Sequence, residues 1–477
     1  MELLSNNPSL IIPLPILNSI DKPDLLRLDT IYHLCYLSVY WKQPIDMKTT
    51  ASEIEHISHI CNLLYDASKK ISILNHISWP LSIRNDFFLH KAQRMPKVSY
   101  PKFDGSESMA LIIQSRNLLG DTAIDDWLRK KADTLETTIQ MLSHTGTAEF
   151  FKYSATLYGT PTSYLLDEES TSLDLAKQFK IVMDSFSQVD LGAPPNASVL
   201  AETVVEEMKI AMTKLFGQAA PPVYLVNDLS ANALAGANRV RIRKGACFTD
   251  KDLSQLIHHE AYVHVATSLN GLAQPILKIL AISSPASTKT QEGLAVFAEL
   301  ITGSMDIDRM RRLSDRVIAI QMAIEGADFM EVFKFYTDQT HNPEQAFENT
   351  RRVFRGGVLT GGSPFTKDVV YLDGLLRVNN FLKALVANGR ADCLRLLFCG
   401  KLDIEDIPML GWLTSCGICN PAIYLPPWAS DLRFLLSYLA YYSFLNTVDF
   451  KQIKSHYNTM LQDVPKVPQA PHSSGFI

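Results

Sequence analysis

The sequence has few cysteines, no long apolar run and no excess of basic charge. Seven cysteines among 477 residues are sparse and odd in number, which suits a reducing compartment better than a disulfide framework. The longest apolar run, 434–445, is too short to span a bilayer. A formal net charge of −5 gives no reason to expect binding to nucleic acid or to an anionic membrane. With no basic stretch in residues 1–19 to suggest a secretory signal, these absences predict a soluble, cytoplasmic protein.

The composition and the hydrophobic periodicity predict a mainly helical globular chain. Apolar residues make up 47% and charged residues 20%, which is usual for a globular protein. Three- and four-residue apolar spacing predicts a mainly helical N-terminal region over residues 1–195. Strand-like runs follow at 223–226 and 239–244. We therefore predict an α+β fold, with a second domain carrying a small sheet at 196–462 and a disordered, proline-rich tail at 463–477.

The segment His-His-Glu-Ala-Tyr-Val-His at 258–264 is the candidate for chemistry. Zinc hydrolases need three protein ligands, an open position for water, and a base that is not itself a ligand. A helix bearing His-Glu-x-x-His supplies two ligands and the base, and in gluzincins a carboxylate from a second helix completes the set. Here His259 and His264 with Glu292 are the candidate ligands, and Glu260 is the candidate base.

The spacing of the two histidines departs from that motif. His259 and His264 are five residues apart, and on a regular helix they would point about 140° away from each other. A π-bulge would bring both onto one face, so metal binding here predicts a local distortion of the helix. Two alternatives stay open: a metal site on a regular helix that uses Glu260 with His264, and a polar face of a surface helix without metal.

The motif and several later segments resemble the QEGLA-motif family. The matching segments include HHEAYVHVATSLNGLAQP from residue 258, TQEGLAVFAEL from 290, RRVFRGG from 351, FTKDVVYLDG from 365 and LLFCGKLDIEDIPML from 396. Bacterial members of the family often carry a label about modulating flavohaemoglobin expression. Its eukaryotic members include the microtubule-associated tyrosine carboxypeptidases.

The resemblance implies a fold, a metal and an activity. The fold is a mainly helical, zincin-like (gluzincin-type) metallopeptidase core, and His-Glu-x-x-x-His is the family's own motif. One Zn²⁺ per chain is held by His259, His264 and Glu292, with Glu260 as the catalytic glutamate. The implied activity is that of a zinc carboxypeptidase acting on a peptide or protein C-terminus. No feature of this sequence specifies tubulin as the substrate.

Two arginines are candidates for binding the substrate carboxylate. A carboxypeptidase must recognise a free α-carboxylate, and guanidinium groups do so with paired hydrogen bonds. Arg352 and Arg355 are three residues apart in the RRVFRGG segment and could converge. The alternative is a helix end whose cations favour the helix dipole.

The remaining candidates support the reaction or border the cleft. Lys367 and Tyr371 are candidate donors to the oxyanion, although either could instead pair with a neighbouring aspartate. Glu299, seven residues after Glu292, could orient a ligand histidine or be a surface glutamate. Arg239 lies in a run with alternating basic residues, typical of a half-exposed or edge strand, which in zincin-like folds flanks the cleft and pairs with substrate.

Two other functions remain open at this point. One is a binding or regulatory protein that retains the metal site without catalysis. The other is a peptidase that cuts internally or from the N-terminus, although an aminopeptidase would need acidic residues to hold the substrate amine. The sequence makes no prediction about the oligomeric state.

Overall fold

The computed structural model describes residues 50–186, 189, 198–227, 229, 232–340, 342–445 and 447–462. The predicted tail at 463–477, and the first 49 residues of the predicted N-terminal region, lie outside the described residues. The predicted break near residue 195 also lies outside them.

Most of the described chain is helical. In chain order the helices are α1 (Ala51–Lys69), α2 (Ile73–His76), α3 (Leu81–Leu89), α4 (Ser106–Arg116), α5 (Ala123–Ser143), α6 (Ala148–Tyr158), α7 (Ser172–Ser185), α8 (Ala201–Phe216), α9 (Asp250–Leu256), α10 (Ala266–Leu272), α11 (Pro285–Ile301), α12 (Ile307–Ile324), α13 (Phe329–Thr340), α14 (Pro343–Phe354), α15 (Val370–Ala387), α16 (Ile407–Ser415), α17 (Pro427–Ser430), α18 (Arg433–Leu445) and α19 (Phe450–Gln462). A π-helix, Ile257–Val265, joins α9 to α10. Short 3₁₀ segments lie at Gly217–Ala219, Lys278–Ala281, Lys367–Val369, Ala391–Phe398 and Ile404–Asp406.

The strands form one small sheet and one short ribbon. The sheet contains β2 (Val223–Val226), β3 (Ala233–Gly236) and β4 (Arg239–Arg243) in the order β2-β4-β3, with β2 parallel and β3 antiparallel to β4. The ribbon pairs β1 (Val199–Leu200) with β5 (Cys247–Phe248). The prediction of a mainly helical chain with a small sheet is confirmed.

The alternating sequence of β4 produces one buried and one solvated face. Val240 and Ile242 are fully buried, and the three arginines that alternate with them are exposed or half-buried. The strand is half-exposed, as its pattern predicts, but it is the central strand of the sheet and not an edge strand. Strand order depends on pairing partners, which the alternation alone does not specify.

The largest apolar core joins helices from both halves of the chain. It includes Ile60 of α1 and Leu128 of α5 together with Val296 of α11, Val378 of α15 and Leu439 of α18, all fully buried. The predicted division into domains at residue 195 stays a prediction. Among the described residues, no helix is both long and apolar enough to cross a membrane.

Helices α11 and α15 approach each other closely because each has a glycine at the crossing. A Cβ atom on Gly293 would lie 2.2 Å from the carbonyl oxygen of Gly374, and one on Gly374 would lie 2.2 Å from the carbonyl oxygen of Lys289. No side chain fits at those distances. Because Glu292 is the residue before Gly293, this crossing sets the position of Glu292 along α11 relative to the start of α15.

Candidate metal centre

The π-helix brings the two histidines of the motif together. The Ala266 N–H bonds to the Ala261 carbonyl five residues earlier, so residues five apart lie on one face. The imidazole rings of His259 and His264 are 4.9 Å apart, centroid to centroid. The predicted distortion of the helix is confirmed. Glu260, the partner of His264 in the alternative site, is not among the residues whose ligand atoms converge in the described part of the chain.

Glu292 of α11 faces both histidines and completes a set of three potential metal ligands. Its Oε2 atom lies 3.5 Å from the Nε2 atoms of His259 and His264, and the ligand atoms of the three residues lie within 4.8 Å of one another. Nitrogen and oxygen ligands at about 2.0–2.1 Å from a tetrahedral Zn²⁺ are about 3.3–3.4 Å apart. The two carboxylate–imidazole distances of 3.5 Å are close to that spacing, so the three residues could hold a metal ion.

The carboxylate of Glu292 also has an unsatisfied oxygen. Oε2 is buried and accepts no hydrogen bond from any described residue, although buried carboxylate oxygens normally accept one. The other oxygen, Oε1, accepts a hydrogen bond from Lys367 Nζ at 3.0 Å. Burial alone would raise the pKa of Glu292, but Lys367 and the two imidazoles hold this pKa well below its usual value. An ionised carboxylate with one open oxygen between two imidazoles is a donor set that suits a divalent metal.

Glu299 and Arg309 fix the orientation of His259. Glu299 is fully buried on α11, and its Oε1 atom lies 2.7 Å from His259 Nδ1, so the imidazole donates its Nδ1–H to the carboxylate and leaves Nε2 free for metal. Arg309 of α12 donates to both Glu299 oxygens at 2.8 Å. Burial alone would raise the pKa of Glu299, but Arg309 and His259 lower this pKa to about 2.

A buried polar cluster holds the end of the π-helix against α11. Gln291 Oε1 accepts from Thr267 Oγ1 at 2.7 Å and from Lys401 Nζ at 3.0 Å. Lys401 Nζ also donates to the carbonyl oxygen of His264 at 3.0 Å, and Ser268 Oγ donates to the same oxygen at 2.6 Å. Burial lowers the pKa of Lys401 to about 8. The cluster links the residue before Glu292 directly to the backbone of His264.

Glu260 lies beside the ligands but has no partner of its own. Its side chain is half-buried and makes no hydrogen bond or ion pair within the described part of the chain. Its carboxylate is therefore free to bind a water molecule or a substrate group.

The sequence-predicted oxyanion donors occupy different environments. Lys367 is held by Glu292, a potential metal ligand, as described above. The Tyr371 hydroxyl lies 3.5 Å from Arg352 Nη2 as an acceptor and keeps its own proton available. The ring of Tyr371 is flanked by the guanidinium of Arg316 at 4.8 Å and by Lys367 Nζ at 5.2 Å.

The two candidate carboxylate-binding arginines differ in their partners. Arg352 donates from Nε and Nη2 to Asp368 at 2.6 and 2.9 Å, so two of its three nitrogens are engaged. Arg355 is buried at the end of α14 with its guanidinium 5.6 Å from the centroid of the Phe365 ring. Its Nε atom is buried without a hydrogen-bond partner, and among the described residues it has no ion pair. Burial, with Arg352 nearby, lowers the pKa of Arg355 to about 10.

Arg239, the other predicted substrate-binding residue, is exposed at the start of β4. Its backbone pairs with Gly236 of β3, and within the described ranges its side chain makes no hydrogen bond or ion pair with the potential metal ligands. Strand β3 is an edge strand of the sheet and packs against the π-helix. The sheet, but not the Arg239 side chain, therefore borders the candidate site.

A family model described as microtubule-associated tyrosine carboxypeptidase matches residues 85–447. The chain belongs to this family. The relation to the tyrosine carboxypeptidases predicted from the sequence is confirmed. The matched range contains Glu260 and the three potential metal ligands, and the family description points to a peptidase of the carboxypeptidase type. A search of curated proteins gives no match.

The sequence predictions missed two residues that bind and position residues of the candidate site, Arg309 and Lys401. Arg309, which binds Glu299, lies in a stretch of charged residues with no distinctive spacing. Lys401, which binds the His264 carbonyl, lies in LLFCGKLDIEDIPML, a segment that belongs to the resemblance but carries no motif with a known role. Its membership of the resembling region is the one signal that could have drawn attention to it.

Proposed function

We propose that this chain is a zinc-dependent carboxypeptidase with a zincin-like, gluzincin-type core, which removes a residue from the C-terminus of a peptide or protein. The observation that carries the proposal is the unpartnered Glu292 Oε2 atom, 3.5 Å from both histidine Nε2 atoms. The description of the family, as a tyrosine carboxypeptidase, supports the same activity.

His259, His264 and Glu292 would hold the metal. When bound there, Zn²⁺ supplies Lewis acidity and lowers the pKa of a water molecule. Glu260 accepts the proton of that water on its free carboxylate and later delivers it to the nitrogen of the leaving amine. Through the hydrogen bond from Nδ1–H, Glu299 fixes the orientation of the His259 ring, so that Nε2 is the nitrogen that would bind the metal.

The cationic groups beside the ligands would bind the negative charges of the substrate. Arg355 has donors that no described residue uses, so it is the better candidate for the terminal carboxylate, while Asp368 already binds Arg352. Tyr371 can donate its hydroxyl proton to the developing oxyanion. The free edge of β3, next to the π-helix, offers backbone groups to an extended peptide.

This ligand set favours catalysis over a purely structural or binding role. A structural zinc site is closed by four protein ligands, whereas three protein ligands leave a position for water. A non-catalytic site would also have no use for an unpaired glutamate beside the ligands. An aminopeptidase would need carboxylates to bind the substrate amine, and the unpaired buried charge on Arg355 has the opposite sign.

The dependence on a free C-terminus tests the proposal. We expect the wild type, loaded with Zn²⁺, to release the last residue of a peptide that ends in tyrosine with a free carboxylate, and to leave the matching C-terminal amide intact. Mass spectrometry of both peptides after incubation gives the measurement. Cleavage of both at an internal bond would instead favour an internally cutting peptidase. Failure to cleave a set of free-acid peptides with different last residues would favour the non-catalytic alternative.

A further inference from the structure

Tyr158 is a buried tyrosine whose hydroxyl has no hydrogen-bond partner. It is the last residue of α6 and is 2% exposed, and its hydroxyl makes no hydrogen bond with any residue that the structure describes. A phenylalanine would fill the same space without a polar group that needs a partner. The hydroxyl therefore adds little to the packing and is a candidate for binding a ligand.

The end of α6, where Tyr158 lies, packs against the elements that carry the candidate active site. One turn earlier on the same helix face, Ser154 Oγ accepts from the backbone N–H of Thr366 at 2.9 Å, which ties α6 to the residue before Lys367. A Cβ atom on the next residue, Gly159, would lie 3.8 Å from Lys289 Nζ on α11, one turn before Glu292. The end of α6 thus lies between the segment that carries Lys367 and the helix that carries Glu292.

Tyr158 and Arg355 contact the same aromatic ring. The ring of Tyr158 packs edge-on against Phe365 with centroids 5.5 Å apart, and the guanidinium of Arg355 lies 5.6 Å from the same centroid. Tyr158 also interacts electrostatically with Lys367, Arg355, Glu292 and Asp368. A phenol and a guanidinium, each with donors that no described residue uses, therefore contact the same ring, within electrostatic range of a potential metal ligand.

We propose that Tyr158 and Arg355 together bind the terminal carboxylate of the substrate, with the phenol O–H and the guanidinium N–H groups as donors. The inference rests on the proposed function, because a substrate with a free C-terminus supplies the carboxylate. Burial raises the pKa of Tyr158 to about 12, so the phenol keeps its proton at neutral pH. The inference gives the N-terminal helices a part in substrate recognition, in addition to their part in the core.

Binding measurements in an inactive background test this pairing. We would compare Glu260→Gln with Glu260→Gln/Tyr158→Phe and measure the Kd of a peptide ending in a free carboxylate and of its C-terminal amide. A hydrogen bond to a charged acceptor changes Kd by about tenfold to a hundredfold. We expect Tyr158→Phe to weaken the peptide acid by that factor and to leave the amide unchanged. Tyr153→Phe, on the same helix, is the matched control and should change neither Kd.

Two further readouts separate this role from others. The melting temperature of Tyr158→Phe should not fall, because the ring remains and the hydroxyl had no partner; a fall would indicate a structural hydroxyl. In otherwise wild-type enzyme, Tyr158→Phe should raise KM and leave kcat within about twofold, whereas an oxyanion donor would lower kcat.

The outcomes distinguish this inference from the function on which it rests. An unchanged Kd for the peptide acid, or an equal loss for acid and amide, overturns the role of Tyr158 while an active wild type keeps the proposed function. A wild type that neither cleaves nor binds peptide acids overturns both.

Discussion

Glu260→Gln should lower kcat/KM for peptide hydrolysis by about a hundredfold to ten-thousandfold while the protein keeps its metal. A general base contributes rate enhancement of that order, and a glutamine cannot accept the proton. The substitution should not disturb the fold, because Glu260 makes no hydrogen bond or ion pair with the described residues. Nor is it among the three residues whose ligand atoms converge, so metal binding should persist. Kinetics and metal analysis on one preparation give the measurement.

The control for this variant is an exposed glutamate that contacts none of the potential metal ligands through a hydrogen bond or ion pair among the described residues. Glu206 is exposed on α8 and pairs with Lys209, so Glu206→Gln should retain wild-type activity. Activity of Glu260→Gln near that of the wild type would contradict the role as base. Loss of metal together with activity would show that Glu260 is a ligand, and the ligand set would have to be revised.

Asp368→Asn should lower the free energy of unfolding by about 3–5 kcal/mol, the usual effect of removing one partner of a buried ion pair. Asp368 is 4% exposed, binds Arg352 through both oxygens and lies 3.9 Å from Arg316. Asparagine keeps the shape but removes the charge, which leaves these buried guanidinium groups to repel each other. Urea unfolding of the wild type and the variant measures the difference.

The pH dependence of this effect has a defined sign. Burial alone would raise the pKa of Asp368, but Arg352 and Arg316 hold this pKa below its usual value. A carboxyl whose pKa is lowered by folding stabilises the protein above the unfolded-state pKa of about 3.9, and this stabilisation is lost as the pH falls below that value. The difference in the free energy of unfolding between the wild type and Asp368→Asn should therefore become smaller as the pH falls below about 3.9.

An exposed ion pair provides the control for Asp368. Asp392 pairs with Arg390 at the surface, where solvent screens the charges. We expect Asp392→Asn to leave the free energy of unfolding unchanged. Equal stability of Asp368→Asn and Asp392→Asn would contradict the view that the Asp368 charge holds the arginines around the site.

The sequence predicted the parts of the site that depend on short spacings along the chain. Two histidines five residues apart can bind one ion only if the helix is distorted, and the structure has a π-helix at that point. Hydrophobic periodicity likewise predicted a mainly helical chain with a small sheet. In both cases the information lies within one or two turns of a helix or within one strand.

The partners of the site residues could not be predicted in the same way. Lys401 is 137 residues from His264, whose carbonyl it binds, and Asp368 is 16 residues from Arg352. Nothing local in the sequence indicates that Lys367 faces Glu292 or that β4 is the central strand of the sheet. Residue type suggested Lys367 as an oxyanion donor and Arg352 as a ligand of the substrate carboxylate. In the structure Lys367 binds Glu292 and Arg352 binds Asp368.

The most direct test of the whole account is the metal content of the purified wild type, measured by inductively coupled plasma mass spectrometry after dialysis against metal-free buffer. The convergence of His259, His264 and Glu292 predicts about one zinc per chain, lost when His264 is changed to alanine. Wild-type protein without stoichiometric metal, and with no uptake of added Zn²⁺, would contradict the metal centre and with it the proposed peptidase.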